Sequence, residues 1–229
     1  MGQPDVKTGE TKMKLLATAA LVLCASLSAV AQTAVPANAL DPFKDTSMVK
    51  PPAGAKVAIY EFEDLECPAC AQAAPVVHAA IDHYKIPLVR HDFPLTNLHP
   101  WSLQAAITAR YLQDKASPVI AETFRRDVFA SQNSIASRDD LDNFTRHWFQ
   151  THGVAQPFVM DADGACQKEI QADRALGARM GIVHTPCIFV VTPRRWVQVV
   201  DVSQLYRTID VALAETAAPA IGPAKATHR

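Results

Sequence analysis

Apolar positions recur along the chain with two periods, and the switches between them outline the elements. Residues 56–62, KVAIYEF, are an apolar run with β-branched and aromatic members and predict a strand. After residue 70 the period changes: Val77, Ala80, Ile81 and Tyr84 fall at i, i+3, i+4 and i+7, one face of a helix. Residues 86–93, IPLVRHDF, predict a second strand, and the stretch that follows reads as helical. Residues 102–113, SLQAAITARYLQ, are rich in Ala. Ser117-Pro118 suits the cap and first turn of a helix with Ile120, Phe124 and Val128 on one face. Ser137-Arg138-Asp139-Asp140 resembles a capping box, and Leu141, Phe144 and Trp148 continue at helical spacing until Gly153. These aromatics read as core, not as a cofactor box. A further helix is expected from Ala165 to Met180, closed by Gly181. CIFVV at 187–191 reads as a buried strand, Thr192 to Arg195 as a turn, and WVQVV at 196–200 as its partner strand. A last helix carries Leu205, Ile209, Ala212 and Leu213. The order β, α, β, helices, α, β, β, α describes a compact α/β unit interrupted by a helical block.

The chain ends add a destination. Lys12 and Lys14 precede an uncharged run from Leu15 to Ala31 that finishes Ala29-Val30-Ala31. A basic start, a short apolar stretch and small residues at the cut predict a signal peptide over residues 1–31. A retained membrane anchor is the competing reading, and a lipoprotein anchored at Cys24 is disfavoured by the bulky Leu23 before it. Residues 32–55, with Pro36, Pro42, Pro51 and Pro52, read as a linker, and residues 216–229 as a disordered tail. Export implies a periplasmic or other extracytoplasmic location, where thiols meet oxidising conditions. The formal net charge is −1 with no basic stripe, so nucleic acid is not an expected partner. Of five cysteines, cleavage would remove Cys24 and leave Cys67, Cys70, Cys166 and Cys187, an even number compatible with two disulfides.

The chemistry concentrates in YEFEDLECPACAQAAP, residues 60–75. Cys67 and Cys70 stand where the first strand gives way to the first helix, close enough to bond to each other. The first would sit beside free backbone N–H groups and the positive end of the helix dipole, which favour a thiolate. The second lies deeper, as a resolving thiol should. Zinc sites and structural loops use the same spacing, so the surroundings decide. Glu61 shares strand parity with Val57 and Ile59; behind the dithiol it would take the proton that Cys70 must lose, whereas at a sheet edge it would face solvent. Pro75 falls inside the helix and should kink it. Pro186 stands directly before a hydrophobic strand, where a cis Thr185–Pro186 bond packed on the dithiol would leave backbone groups free for an extended substrate.

The strand VAIYEF, the dithiol CPAC, Glu61, Pro75, the phrase RHDFPLTNLHPWSLQAA and the stretch GIVHTPCIFVV together resemble the exported DsbA-like proteins of the thioredoxin-like superfamily. The resemblance covers roughly residues 50–215. It implies an α/β, thioredoxin-like fold over residues 56–93 and 161–215, with an inserted helical subdomain at 94–160. It implies disulfide exchange on protein substrates, with Cys67 as nucleophile, Cys70 as resolving thiol, and Pro186 cis after Thr185. No bound cofactor is needed. The implied partners are unfolded or partly folded proteins and a membrane quinone-linked reoxidising protein, and a monomer is expected.

Two departures qualify the direction of exchange. The strongest oxidases of the family carry a histidine where this loop has Ala69. Glu61, Glu63, Asp64 and Glu66 crowd the approach, and their charge is expected to oppose a thiolate. A thiolate favoured over free cysteine, but less than in a histidine-bearing loop, implies a moderate oxidase; a reductase or isomerase with the same site is the alternative. Cys166 and Cys187 admit three readings: a second disulfide, buried free thiols, or a functional role. In the last, Cys187 would exchange with Cys67 or Cys70, or join them and His184 in a metal-binding or metal-delivery site.

Overall fold

Strand β1 (Ala58–Glu63) is buried at all six positions, as a strand covered on both faces must be. It sits inside a four-stranded sheet ordered β2-β1-β3-β4. The others are β2 (Leu88–Asp92), β3 (Cys187–Val191) and β4 (Trp196–Val199). β1 runs parallel to β2, with Ile59 opposite Leu88, and antiparallel to β3, with Phe62 opposite Cys187. β3 and β4 form an antiparallel pair through Ile188 and Val199. A parallel pair needs a crossover, which helix α1 (Pro68–Tyr84) supplies. The computed structural model describes residues 49–217. The expected signal peptide with Cys24, most of the linker and nearly all of the tail lie outside those residues.

Alternation along β1 divides the core into two layers. Val57 and Ile59 pack with Ala73, Val77 and Ala80 of α1, and with Leu205 and Ile209 of the last helix, α6 (Leu205–Ala217). Ala58, Tyr60 and Phe62 face the other way, against Met180 and Ile182, which follow α5 (Ala165–Arg179). At Gly177 this helix runs so near the sheet that an added Cβ would lie 2.5 Å from Cε2 of Phe93. Val49, near the end of the expected linker, is also part of this layer, and the Tyr60 hydroxyl donates to the Lys50 carbonyl. The linker therefore ends inside the core, because one or two apolar residues carry no period to announce it.

Between β2 and α5 run α2 (Ser102–Lys115), α3 (Pro118–Ser131) and α4 (Arg138–Thr151). Their caps follow the sequence: Ser117 Oγ accepts from the Ile120 N–H at 3.2 Å, and Ser137 Oγ from the Asp140 N–H at 3.1 Å. Trp101, Leu112, Phe124, Leu141, Trp148 and Phe149 form their core, and the same cluster includes Leu65, Cys67 and Cys70. The helices thus pack directly on the dithiol loop, and all described residues belong to one compact unit. The aromatics are core, with Phe124 and Trp148 edge to face at 5.1 Å. Among the described residues no helix is long and apolar enough to cross a membrane.

Candidate active site

Cys67 is the cap residue of α1, extended at φ −75° and ψ 120°, with Pro68 in the first turn where a missing N–H costs nothing. Its side chain is 7% exposed, and its thiol donates to the Thr185 carbonyl at 3.4 Å. The Cys70 thiol beside it, and the amides of Cys70 and Ala69, favour its thiolate. Against the opposing pull of burial they lower its pKa to about 5. Cys70 is fully buried one turn deeper and accepts from the Asp64 N–H at 3.5 Å. Burial, and then the neighbouring Cys67, push its pKa well above the ordinary thiol range. The two adjacent thiols are thus tuned in opposite directions.

Glu61 is 1% exposed, on the α1 side of the sheet with Val57 and Ile59, and its Oε1 has no hydrogen-bond partner among the described residues. Burial, and then the charge of Glu63, raise its pKa to about 8. Val57 and Ile59, which share its strand parity, pack with Ala73 and Val77 of α1. Pro75 lies inside α1, which continues to Tyr84. The Thr185–Pro186 bond is cis. The Thr185 hydroxyl is buried and has no ordinary hydrogen-bond partner among the described residues.

The acidic crowd does not act as its sequence suggests. Glu63 pairs with Arg125 at 2.7 Å and with Arg90 at 3.1 Å. Asp64 accepts from the N–H groups of Glu66 at 2.8 Å and Leu95 at 2.7 Å, and faces Nδ1 of His99 at 2.8 Å. Glu66 accepts from the Trp101 N–H at 2.6 Å. Asp64 and Glu66 tie the dithiol loop to the segment before α2, and Glu63 is held by two arginines, so their charge is spent on these donors and not on the Cys67 sulfur.

Cys166 and Cys187 are free thiols, as are Cys67 and Cys70. Cys166 lies in the first turn of α5, where its N–H donates to Asp161 at 3.0 Å. Cys187 lies at the start of β3, with its sulfur 3.3 Å from the His184 carbonyl and 3.7 Å from His184 Nδ1. Burial raises both to about 11. Cys187 packs with Phe62 and Phe189, on the face of the sheet opposite Glu61 and α1. That orientation turns Cys187 away from α1, although it directly follows Pro186 in sequence. Among the described residues no group of three or more Cys, His, Asp or Glu is placed to hold a metal ion.

Two features escaped sequence reasoning. The first is a buried ion network that joins the helical block to the sheet. Arg125 of α3 forks onto Asp92 at 2.6 and 3.0 Å while also holding Glu63. Arg110 of α2 joins Asp92 to Asp173 of α5, and Arg90 joins Glu63 to Glu122, which meets His78 at 2.9 Å. A signal existed: Arg125 follows Ala121 by four residues and precedes Val128 by three, on the apolar face of α3. The second is Gln132, in the short turn after α3, whose amide donates to the carbonyls of Leu65 at 2.8 Å and Cys67 at 3.2 Å.

The thioredoxin family matches residues 44–210. Among solved structures, α-DsbA1 of Wolbachia pipientis superposes with a TM-score of 0.59 at 18% identity, covering 74% of this chain and 96% of that one. The thiol-disulfide exchange protein α-DsbA2 of the same organism gives 0.55 at 19%, covering 71% and 84%. A periplasmic thioredoxin-like protein of Salmonella enterica gives 0.55 at 16%, covering 79% and 93%. Among curated relatives, the Na(+)/H(+) antiporter NhaA 1 of Salinispora arenicola is 31% identical over 137 residues, 55% of this chain. The matched stretch is 20% of that antiporter's length, so the likeness reaches about a fifth of it. The family match spans most of the chain, and the fold, with its helical block between β2 and α5 and its dithiol at the start of α1, is similar to those structures: the chain belongs to the thioredoxin family.

Proposed function

We propose that the protein is an exported thiol–disulfide oxidoreductase that acts on other proteins through Cys67 and Cys70, chiefly as an oxidase of moderate strength. The observation that carries this reading is the opposite tuning of two adjacent thiols, Cys67 down to about 5 and Cys70 far up. In the oxidising direction a substrate thiolate attacks Cys67 of the Cys67–Cys70 disulfide. A substrate–Cys67 bond forms, the internal bond breaks, and Cys70 leaves with the electron pair. Buried Cys70 is costly as an anion, and Glu61, protonated up to about pH 8, supplies its proton. A second substrate thiolate then attacks the substrate sulfur and releases Cys67, a good leaving group because its thiolate is stable. The substrate leaves with a disulfide and the enzyme keeps two electrons.

Thiolate stability also sets direction. Holding Cys67 at about 5 stabilises the reduced site at pH 7 by about 2.7 kcal/mol relative to an ordinary thiol, roughly 60 mV toward oxidant. Ala69 adds only its backbone amide to the sulfur, which keeps the potential moderate. Reoxidation falls to a membrane quinone-linked partner. The basic-then-apolar N-terminus and the likeness to a periplasmic protein support export. The test equilibrates the chain across glutathione ratios and measures oxidative refolding of a reduced, unfolded protein beside reduction of insulin. Fast refolding that disappears in Cys67→Ser is expected. Refolding that survives Cys67→Ser, or insulin reduction that outruns refolding, removes the oxidase reading.

A further inference from the structure

We propose that Gln132 is a positioning residue for the dithiol, through which the helical insertion holds the cap residue of α1 in its working conformation. The proposal rests on the exchange reading of Cys67 and Cys70 and adds to it a residue 65 positions away in sequence. The Gln132 carboxamide reaches two carbonyls on the dithiol loop, Leu65 at 2.8 Å and Cys67 at 3.2 Å. Only an NH2 group can face two carbonyl oxygens, so the orientation of the amide is fixed by its partners. Leu65 is 1% exposed, and its carbonyl has no other hydrogen-bond partner among the described residues. The Cys67 carbonyl also accepts the first helical bond, from Ala71 at 3.2 Å. Gln132 therefore bridges the carbonyls of Leu65 and Cys67 across Glu66 and sets the extended ψ of 120° at Cys67.

That dihedral aims the sulfur. The thiolate draws on the backbone amides of Ala69 and Cys70, and an amide at a helix start is useful only if the cap residue points its side chain back over the first turn. Without the bridge the Leu65 carbonyl loses its partner, and the Cys67 peptide is free to turn about a single helical bond. The loop's other ties, Asp64 with Leu95 and His99 and Glu66 with Trp101, act before Cys67 and do not fix its carbonyl. The titratable groups facing this loop are Cys70, Asp64, Glu66 and His99, and none of them hydrogen-bonds to Gln132.

The test compares the parent with Gln132→Met, Gln132→Glu and the control Asn133→Ala, an exposed neighbour. Alkylation rate against pH gives the Cys67 midpoint in each reduced protein, with thermal melting run in parallel. The midpoint should rise by about one unit in both Gln132 variants, the worth of one charge-assisted hydrogen bond, and stay put in Asn133→Ala. An unchanged midpoint in a folded Gln132 variant overturns the proposal. A second measurement needs no variant: the Gln132 carboxamide resonances of the parent should titrate with Cys67, and a carboxamide signal indifferent to that titration overturns it equally. A parent midpoint near that of free cysteine would instead defeat the exchange reading itself, which keeps the two failures distinct.

Discussion

Replacing Glu61 with glutamine should make the protein more stable and the enzyme slower, with both effects growing over the same pH range. Glu61 is 1% exposed and its pKa is lifted from 4.5 to about 8, by burial first and the Glu63 charge second. The folded state therefore holds this proton more tightly than the unfolded chain. Its contribution is fully present below about pH 4.5 and is lost as pH rises toward 8. At pH 7 ionisation in the unfolded chain alone costs the parent on the order of 3 kcal/mol of stability. A glutamine of the same shape does not incur that cost. Glu61→Gln should match the parent near pH 4 and exceed it by up to that amount at pH 7, or roughly 5–10 °C in melting temperature. The same change removes the group that takes the proton Cys70 loses as it attacks a Cys67 mixed disulfide, so that resolution at pH 7 should slow on the order of 10²-fold. Urea unfolding at a series of pH values gives the first quantity, and quenched decay of a Cys67 mixed disulfide gives the second. A stability difference that does not vary with pH, or an unchanged resolution rate, would refute the placement of Glu61 behind Cys70.

Arg125→Met should cost about 3–5 kcal/mol in urea unfolding, because it leaves Glu63 and Asp92 buried without their shared cation. Arg125→Lys should recover only part, since an ammonium cannot fork onto two carboxylates, and full recovery would contradict the bidentate geometry. Asp92 is pulled up by burial but held down to about 2 by Arg125 and Arg110. It supports the fold above about pH 3.8 and loses that role as pH falls toward 2, so acid unfolding in that window should be blunted in Arg125→Met. Gly177→Ala drives a methyl to 2.5 Å from Cε2 of Phe93 and should cost about 1–3 kcal/mol; a neutral result would show that α5 can lift from the sheet.

Where one element carried its own period, the sequence was enough. Val77, Ala80 and Tyr84 mark α1, CIFVV marks β3, and the serine caps at Ser117 and Ser137 accept the predicted amides. The dithiol was legible because its parts lie within one strand–helix junction. What escaped notice crosses the fold. Glu63, Asp92 and Arg125 are separated by tens of residues and meet only when α3 lies on the sheet, so read locally they were simply charges. That is why Glu63 and Asp64 were read as repelling a thiolate when they are already matched by Arg90, Arg125 and local amides. Cys187 adjoins Pro186 in sequence, yet strand alternation turns it to the Phe62 and Phe189 layer. Gln132 could not have been found, since a glutamine in a turn carries no pattern and its partners are backbone carbonyls.

The most direct test of the central claim is the pH dependence of Cys67 alkylation in the fully reduced protein, followed from about pH 3 to 10. A single reactive thiol with a midpoint near 5, and a Cys70 that stays unreactive beyond the ordinary thiol range, is the expected result. A Cys67 midpoint at or above about 8.5, the value of a free cysteine, would contradict it.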